Sequence, residues 1–354
     1  MTPLPRLILA LPFLLVLPLV AADLQPTPSE PPPRGYVCFP TAKPPVIDGK
    51  LDDPAWEAVP WSEEFVDIEG DKKPKPTHRT RVKMTWDDTA LYIAAELVEP
   101  HIWATLTEHD SVIFHDPDFE VFLDPDGDNH LYGELELNPK NTTWDLLLVK
   151  PYKDGGPAIH AWEITGLKTA VHVNGTLNNP TDTDMAWTVE IAWPWVGINE
   201  LAKNIAPPKD GHRWRINFSR VQWDTEVKDG KYRKIEKRPE HNWVWSPQGV
   251  IDMHRPERWG YLQFSTKTDG VKYEPDPAQG VKDWLHTVYY AQNQYRQKHG
   301  QYTSTFTDLG LKPSPFGTPN IRTTKHGFEA SLTAPKANGG KTWTIRQDSR
   351  IGSE

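Results

Sequence analysis

One cysteine, Cys38, stands among 354 residues, so the chain has no internal disulfide and no cysteine-rich metal site. The lone thiol reads as a small buried side chain in a first strand. Long apolar runs are equally scarce. The one sustained run, Leu7 to Val20, is short, is broken by Pro12 and Pro18, and leads into a polar, proline-rich stretch from Gln25 to Pro33. Arg6 before it and Ala21 and Ala22 after it fit a signal peptide over residues 1–22. A secreted or periplasmic protein without a transmembrane anchor is expected. Positive charge is in deficit, 39 Lys and Arg against 48 Asp and Glu for a net charge of -9, which speaks against nonspecific binding to nucleic acid. H-E-x-x-H, a P-loop and a serine triad motif are missing. So is the C-x-x-C-H heme attachment motif. An unattached heme would have to rely on Met84, which alternation buries, or on Met253 and His254, and no heme is expected.

Tryptophan and turn formers are abundant: 16 Trp, 23 Gly and 35 Pro. Residues 23–43 read as a linker and leading strand. From 44 to 265, short alternating segments recur between turn residues, at Arg79 to Trp86, Ala90 to Leu97, Phe119 to Leu123, His130 to Asn138, Thr143 to Val149, Ala170 to Asn174, Ala186 to Ala192, Arg213 to Val221 and Gly260 to Phe264. Helical periodicity of useful length is absent between them, which favours an antiparallel sandwich over an α/β fold. After a linker at 266–280 the pattern changes. Val281, Trp284, Leu285, Val288, Tyr289, Gln292 and Tyr295 follow helical three-and-four spacing, and Gly300 ends the helix. Strand-like runs at Phe328 to Leu332 and Thr342 to Ile345 complete a unit over 281–354. The expected fold class is an all-β antiparallel sandwich with a small C-terminal α+β domain docked on it.

The segment from His115 to Asn138 places eight carboxylates around two strand-like runs, with a turn at Asp126 and Gly127. Period-two geometry puts Glu134 and Glu136 on one face of their strand. Arg81 and Lys83 share a face elsewhere, as do Arg215 and Asn217, and Glu190 opposes Val189 and Ile191. If these polar faces belong to one sheet, a single concave surface carries Arg81, Lys83, Glu134, Glu136, Glu190, Arg215 and Asn217. They would then either neutralise one another or contact a ligand. Asp124, Asp126 and Asp128 form an oxygen-rich turn suited to Ca2+. It is no EF-hand loop, because Asn129 occupies the sixth position and Leu135 the twelfth.

Several phrases carry a family resemblance: P-P-V-I-D-G-K-L-D-D-P-A-W at Pro44 to Trp56, R-V-K-M-T-W-D-D-T-A-L-Y-I-A-A at Arg81 to Ala95, D-F-E-V-F-L-D-P at Asp118 to Pro125, W-T-V-E-I-A-W-P-W at Trp187 to Trp195, and W-R-I-N-F-S-R at Trp214 to Arg220. In order and spacing they resemble carbohydrate-binding module family 9, and its exported stand-alone relatives most of all, over roughly Pro44 to Phe264. The resemblance implies a β-sandwich, bound calcium in many members, and aromatic residues that clasp a sugar, often a terminal one. It makes Ile47 to Gly49 and Trp56 structural, and aligns Asp124, Asp126 and Asp128 with the family's acidic turn. Ala291 to Leu309 resembles the soluble part of type IV pilin-like proteins, without their hydrophobic helix.

Sugars present apolar faces ringed by hydroxyls, so a site needs an aromatic platform beside hydrogen-bonding groups. The candidate ligand-binding set is Trp144, Trp223, Trp243 and Trp245 with Arg81, Lys83, Arg215, Asn217 and Arg220. Recognition of an oligosaccharide or polysaccharide end without cleavage is the leading expectation. Glycoside cleavage by Glu134, Glu136 and Glu190 as acid, base or nucleophile is its rival. A third reading is a structural protein whose C-terminal domain recruits a protein partner.

Overall fold

The computed structural model describes residues 32–354. The expected signal peptide over 1–22 and the first part of the 23–43 linker lie outside the described residues.

Two β-sheets pack face to face. The first has the spatial order Thr143–Leu148, Tyr132–Leu137, Phe119–Asp124, Arg213–Gln222 and Gly260–Phe264, every neighbour antiparallel. The second runs Thr80–Trp86, Ala90–Val98, Ala186–Pro194 and Lys168–Asn174, also antiparallel. Gly35–Pro40 belongs to both sheets. Its first residues pair in parallel with Tyr261 to Phe264, and Phe39 and Pro40 pair in parallel with Thr85 and Trp86. The leading strand thereby stitches the sheets together along one edge.

Alternation decides what each face buries. Val82, Met84, Ile93 and Ile191 of the second sheet meet Phe119, Val121, Leu135 and Phe218 of the first in one core. Both outer faces are also partly covered. Trp56, Tyr92 and Ala192 cluster outside the second sheet, and Phe122, Tyr132, Leu146 and Trp259 outside the first. Phe119–Asp124 and Tyr132–Leu137 are consequently buried on both sides, unlike the half-solvated strands typical of antiparallel sheets.

The structure adds elements that alternation did not reveal. A helix at Trp195–Leu201 buries Trp195, Ile198 and Leu201 at three-residue spacing. The hairpin Thr225–Lys228 and Lys231–Lys234 turns at Asp229 and Gly230, both with positive φ, as a two-residue primed turn requires. His241–Val244 is a strand paired with Ser219 to Gln222. His130 and Leu131 fall outside the strand expected to begin at His130, because Asn129 and Leu131 adopt φ values of 74° and 49° that interrupt an extended chain.

The C-terminal unit lays the helix Gln279–His299 on a four-stranded antiparallel sheet, Asn320–Thr323, Phe328–Thr333, Thr342–Arg346 and Ile351–Ser353. Val281, Leu285 and Val288 form its core with Phe328, Ala330 and Ile345. The unit docks on the turn after Asp124: Arg350 Nε donates to Asp128 Oδ2 at 2.6 Å and Asn129 Nδ2 to the Ser349 carbonyl at 2.8 Å. Deeper in the junction, Lys153 pairs with Glu257 at 3.2 Å, and the Tyr290 hydroxyl donates to the same carboxylate. Among the described residues, no helix is long and apolar enough to cross a membrane.

Candidate functional site

Cross-strand register builds an acidic patch on the outward face of the first sheet. Ser219, Glu120, Glu136 and Trp144 form one row across four strands, and Asn217, Phe122, Glu134 and Leu146 form the next. Glu120 and Glu136 are therefore direct neighbours, an arrangement that is destabilising for two like charges. Asp118 joins them from the end of its strand, where the Val221 amide donates to Asp118 Oδ1 at 3.1 Å. Ligand oxygens of Asp118, Glu120 and Glu136 all lie within 4.8 Å of one another. These carboxyls and that of Glu134 are buried, Glu120 being the most open at 6%. Among the described residues, Asp118 Oδ2 and Glu134 Oε2 have no hydrogen-bond partner.

The electrostatics follow from that burial. Loss of water, then repulsion from the neighbouring acids, pushes the Asp118, Glu134 and Glu136 carboxyls well above the usual carboxylate range. Burial pushes Glu120 up to about 7. His254 Nε2 stands 4.0 Å from Glu134 Oε2, and burial lowers its pKa to about 3, so the ring is neutral.

Aromatic side chains border the acids. The Phe114 amide donates to Glu136 Oε2 at 3.1 Å, and the Trp223 indole donates to the Phe114 carbonyl at 3.0 Å. Both rings are half-buried. Lys234, at the end of the 225–234 hairpin, holds its ammonium 3.5 Å from the Trp223 ring centroid, a cation–π contact. Trp144 stacks on His160 with 5.6 Å between centroids. This face combines aromatic surface with concentrated hydrogen-bond acceptors.

The seven polar residues expected on one concave surface divide between opposite sides of the sandwich. Arg81, Lys83 and Glu190 project from the second sheet, because both sheets turn their apolar residues toward the same core and their polar residues away from it. Glu190 accepts hydrogen bonds from Trp56 Nε1 at 2.6 Å and from the Asp48 and Gly49 amides at 2.9 and 2.7 Å. It ties the Pro44 to Trp56 segment over that sheet and cannot meet Glu134 or Glu136. Arg81 pairs with Glu96 at 3.2 Å and lies 4.1 Å from the Trp61 ring, while Lys83 donates to the Trp56 carbonyl. Neither neutralises the acidic patch.

Other expected ligand contacts are committed internally. Arg215 donates to the Trp259 carbonyl at 2.7 Å and to Gln279 Oε1 at 3.1 Å, and Asn217 Nδ2 donates to the Ser246 carbonyl at 2.8 Å. Arg220 forms a buried ion pair with Glu99 at 2.7 Å that joins the two sheets. Trp243 and Trp245 do share one side of their segment, but it is the core side, where they are 4% and 0% exposed. Trp144 and Trp223 remain on the acidic face. Phe114, Asp118, Glu120 and Lys234 are the members that sequence reasoning missed. The register set by the Asp126 and Gly127 turn was a signal for Glu120, but Phe114 lies in an irregular segment that carries none.

Oxygens of Asp124, Asp126 and Asp128 also converge within 4.8 Å, as do the donors of the exposed group His109, Asp110 and Glu163. The Gly127 and Asn129 amides hold the Asp124 carboxylate at 3.0 and 2.9 Å. Such acid-rich clusters have the donor type and spacing to hold a metal ion.

A β-sandwich with acids and aromatics on one outward sheet face has the build of a ligand-recognition domain. This chain belongs to the carbohydrate family 9 binding domain-like family, which matches residues 47–262. Similar solved structures include a carbohydrate binding module family 9 from Caldicellulosiruptor kristjanssonii in complex with cellotriose, at 18% identity and TM-score 0.42, covering 68% of this chain and 100% of that one. Another is a family 9 module from the same organism in complex with glucose, at 18% identity and TM-score 0.43, covering 67% of this chain and 100% of that one. No curated protein shows a significant match to this chain.

Proposed function

We propose that the protein recognises an oligosaccharide or polysaccharide end, without cleaving it, on the outward face of the first sheet. The observation that carries this reading is the attachment of two half-buried rings, Phe114 and Trp223, to the row of buried acids through the Glu136 carboxylate. The rings would cover the apolar face of a sugar, and Glu134 and Glu136 would accept from its hydroxyls. Cleavage has less support. Glu190 lies on the other side of the sandwich, bonded to Trp56 and to the Asp48 and Gly49 amides, so it cannot serve as the partner that Glu134 or Glu136 would need across a scissile glycosidic bond.

In this reading residues 1–22 direct export to the periplasm or the medium, 44–265 bind glycan, and 281–354 dock on that domain and are free to engage a protein partner. Calcium at Asp124, Asp126 and Asp128 would stiffen the turn on which the C-terminal unit rests. A panel of soluble oligosaccharides, titrated calorimetrically and assayed for new reducing ends, tests the proposal. Saturable binding without new ends is the expected result, and a panel with no binder overturns it.

A further inference from the structure

We propose that Asp118, Glu120 and Glu136, with Glu134 beside them, hold a divalent, oxygen-seeking cation of the calcium class on the outward face of the first sheet, at a site distinct from the Asp124 to Asp128 turn. The donor oxygens already converge within 4.8 Å. Bonds of about 2.3–2.6 Å from calcium to oxygen put ligands on opposite sides of the ion roughly 4.6–5.2 Å apart, so the spacing of these donors suits a shared ion.

The unpaired oxygens point the same way independently of the clustering. Asp118 is fully buried and its Oδ2 has no partner; Glu134 is 3% exposed and its Oε2 has none. Its carboxyl lies against that of Glu136. Asp116 shows what the fold does with a structural carboxylate nearby: Thr105 and Leu106 amides, the Thr105 hydroxyl and Asn138 fill both of its oxygens at 2.7 to 3.0 Å. In Asp118 and Glu134, by contrast, one oxygen of each carboxyl is left unpaired among the described residues.

His254 Nε2 stands 4.0 Å from Glu134 Oε2, beyond hydrogen-bond distance. Lys234 is drawn by Asp116 and Asp118, yet it stacks on Trp223 and forms no ion pair among the described residues. Glu120 has the Ser219 hydroxyl as a partner, which adds no charge. An ammonium group of an amino sugar would also suit three convergent carboxylates, and the chelation arm of the test below separates it from a metal ion. The cation's place beside Phe114 and Trp223 suggests that it also presents a coordination position to sugar hydroxyls, and this last step alone rests on the glycan reading.

The test is metal titration of the full chain after chelation, by calorimetry with Ca2+ and by tryptophan-sensitised luminescence with Tb3+, without any glycan. In an Asp126→Asn, Asp128→Asn background, saturable Ca2+ binding should persist. Adding Glu136→Gln or Glu120→Gln should weaken it by roughly tenfold or more and reduce the Tb3+ signal. Thermal melts confirm that each variant folds. Metal binding that these two substitutions leave unchanged overturns the proposal, as does a folded background protein that takes up no metal. Binding of an amino-sugar oligomer that is indifferent to chelation, with no metal uptake, also overturns it. Because metal is read directly, loss of the glycan reading and loss of the cation site give different results.

Discussion

The amide of Phe114 donates to Glu136 Oε2 at 3.1 Å, so the backbone that carries an aromatic ring is tied to an acid of the Tyr132–Leu137 strand. Trp223 then hangs from the Phe114 carbonyl at 3.0 Å. The two rings and the acidic row form one mechanical unit, and a change in any one of them should be felt by the others.

Trp223→Ala should weaken binding of a glycan found in the panel by roughly 10- to 100-fold, the equivalent of about 1.5–3 kcal/mol of lost aromatic burial. Phe114→Ala should act in the same range. Calorimetry would check both, with melting curves to show that the fold survives; unchanged affinity would remove these rings from the site.

Buried residues once expected to touch ligand should behave differently. Trp245→Ala should cost about 3–5 kcal/mol of stability through the cavity it leaves. Glu190→Gln should cost about 1–3 kcal/mol, because the carboxylate that receives Trp56 and two amides loses an acceptor. Urea unfolding measures both. Glycan affinity of the folded Glu190→Gln fraction should stay at the parent value, and a specific loss there would contradict its structural role.

Acid should loosen the junction between the two units. His286 accepts from Asn129 Nδ2 at 3.0 Å through Nε2 and donates to the Lys282 carbonyl at 2.9 Å through Nδ1, a pattern that only a neutral ring can make. Burial lowers its pKa to about 4; Glu257 opposes the shift, while Lys153 and Arg215 add to it. The unfolded chain takes up this proton near pH 6.5 and the folded chain only near 4. Stability present above pH 6.5 is therefore lost as the pH falls through that window. Melting between pH 7 and 4 should fall more steeply for the parent than for His286→Gln, and parallel curves would refute the assignment.

Calcium at the Asp124 turn should raise the melting temperature, by up to about 2.7 kcal/mol of stabilisation at a free concentration 100 times Kd. Asp126→Asn should remove that gain. Arg350 occupies Asp128 at 2.6 Å, so Arg350→Ala should strengthen calcium binding while it weakens C-terminal docking. Chelator titrations followed by calorimetry distinguish these outcomes.

Much of the fold was legible in the chain. The runs at Phe119, Ala186 and Arg213 alternate cleanly, and the structure extends each by only one or two residues at an end. The helix at Gln279–His299 begins two residues before Val281, the first residue of its apolar spacing, and ends directly before Gly300 as expected. The segments at Trp195–Leu201 and His241–Val244 were harder to read, since one is too short to display a helical period and the other is buried where its neighbours in sequence are polar.

The site was legible only in part, for a geometrical reason. Local periodicity determines which residues of one strand share a face, and it correctly separated Glu134 and Glu136 from Leu135 and Leu137. Whether two strands share a sheet depends on pairings between residues far apart in the chain. Those pairings sent Arg81, Lys83 and Glu190 to the other side of the sandwich, buried Trp243 and Trp245, and set Glu120 opposite Glu136. The acids and the aromatic richness were in the sequence by itself; tertiary structure decided which acids converge without a basic partner, because long-range register and burial, not local spacing, set the distances between charges.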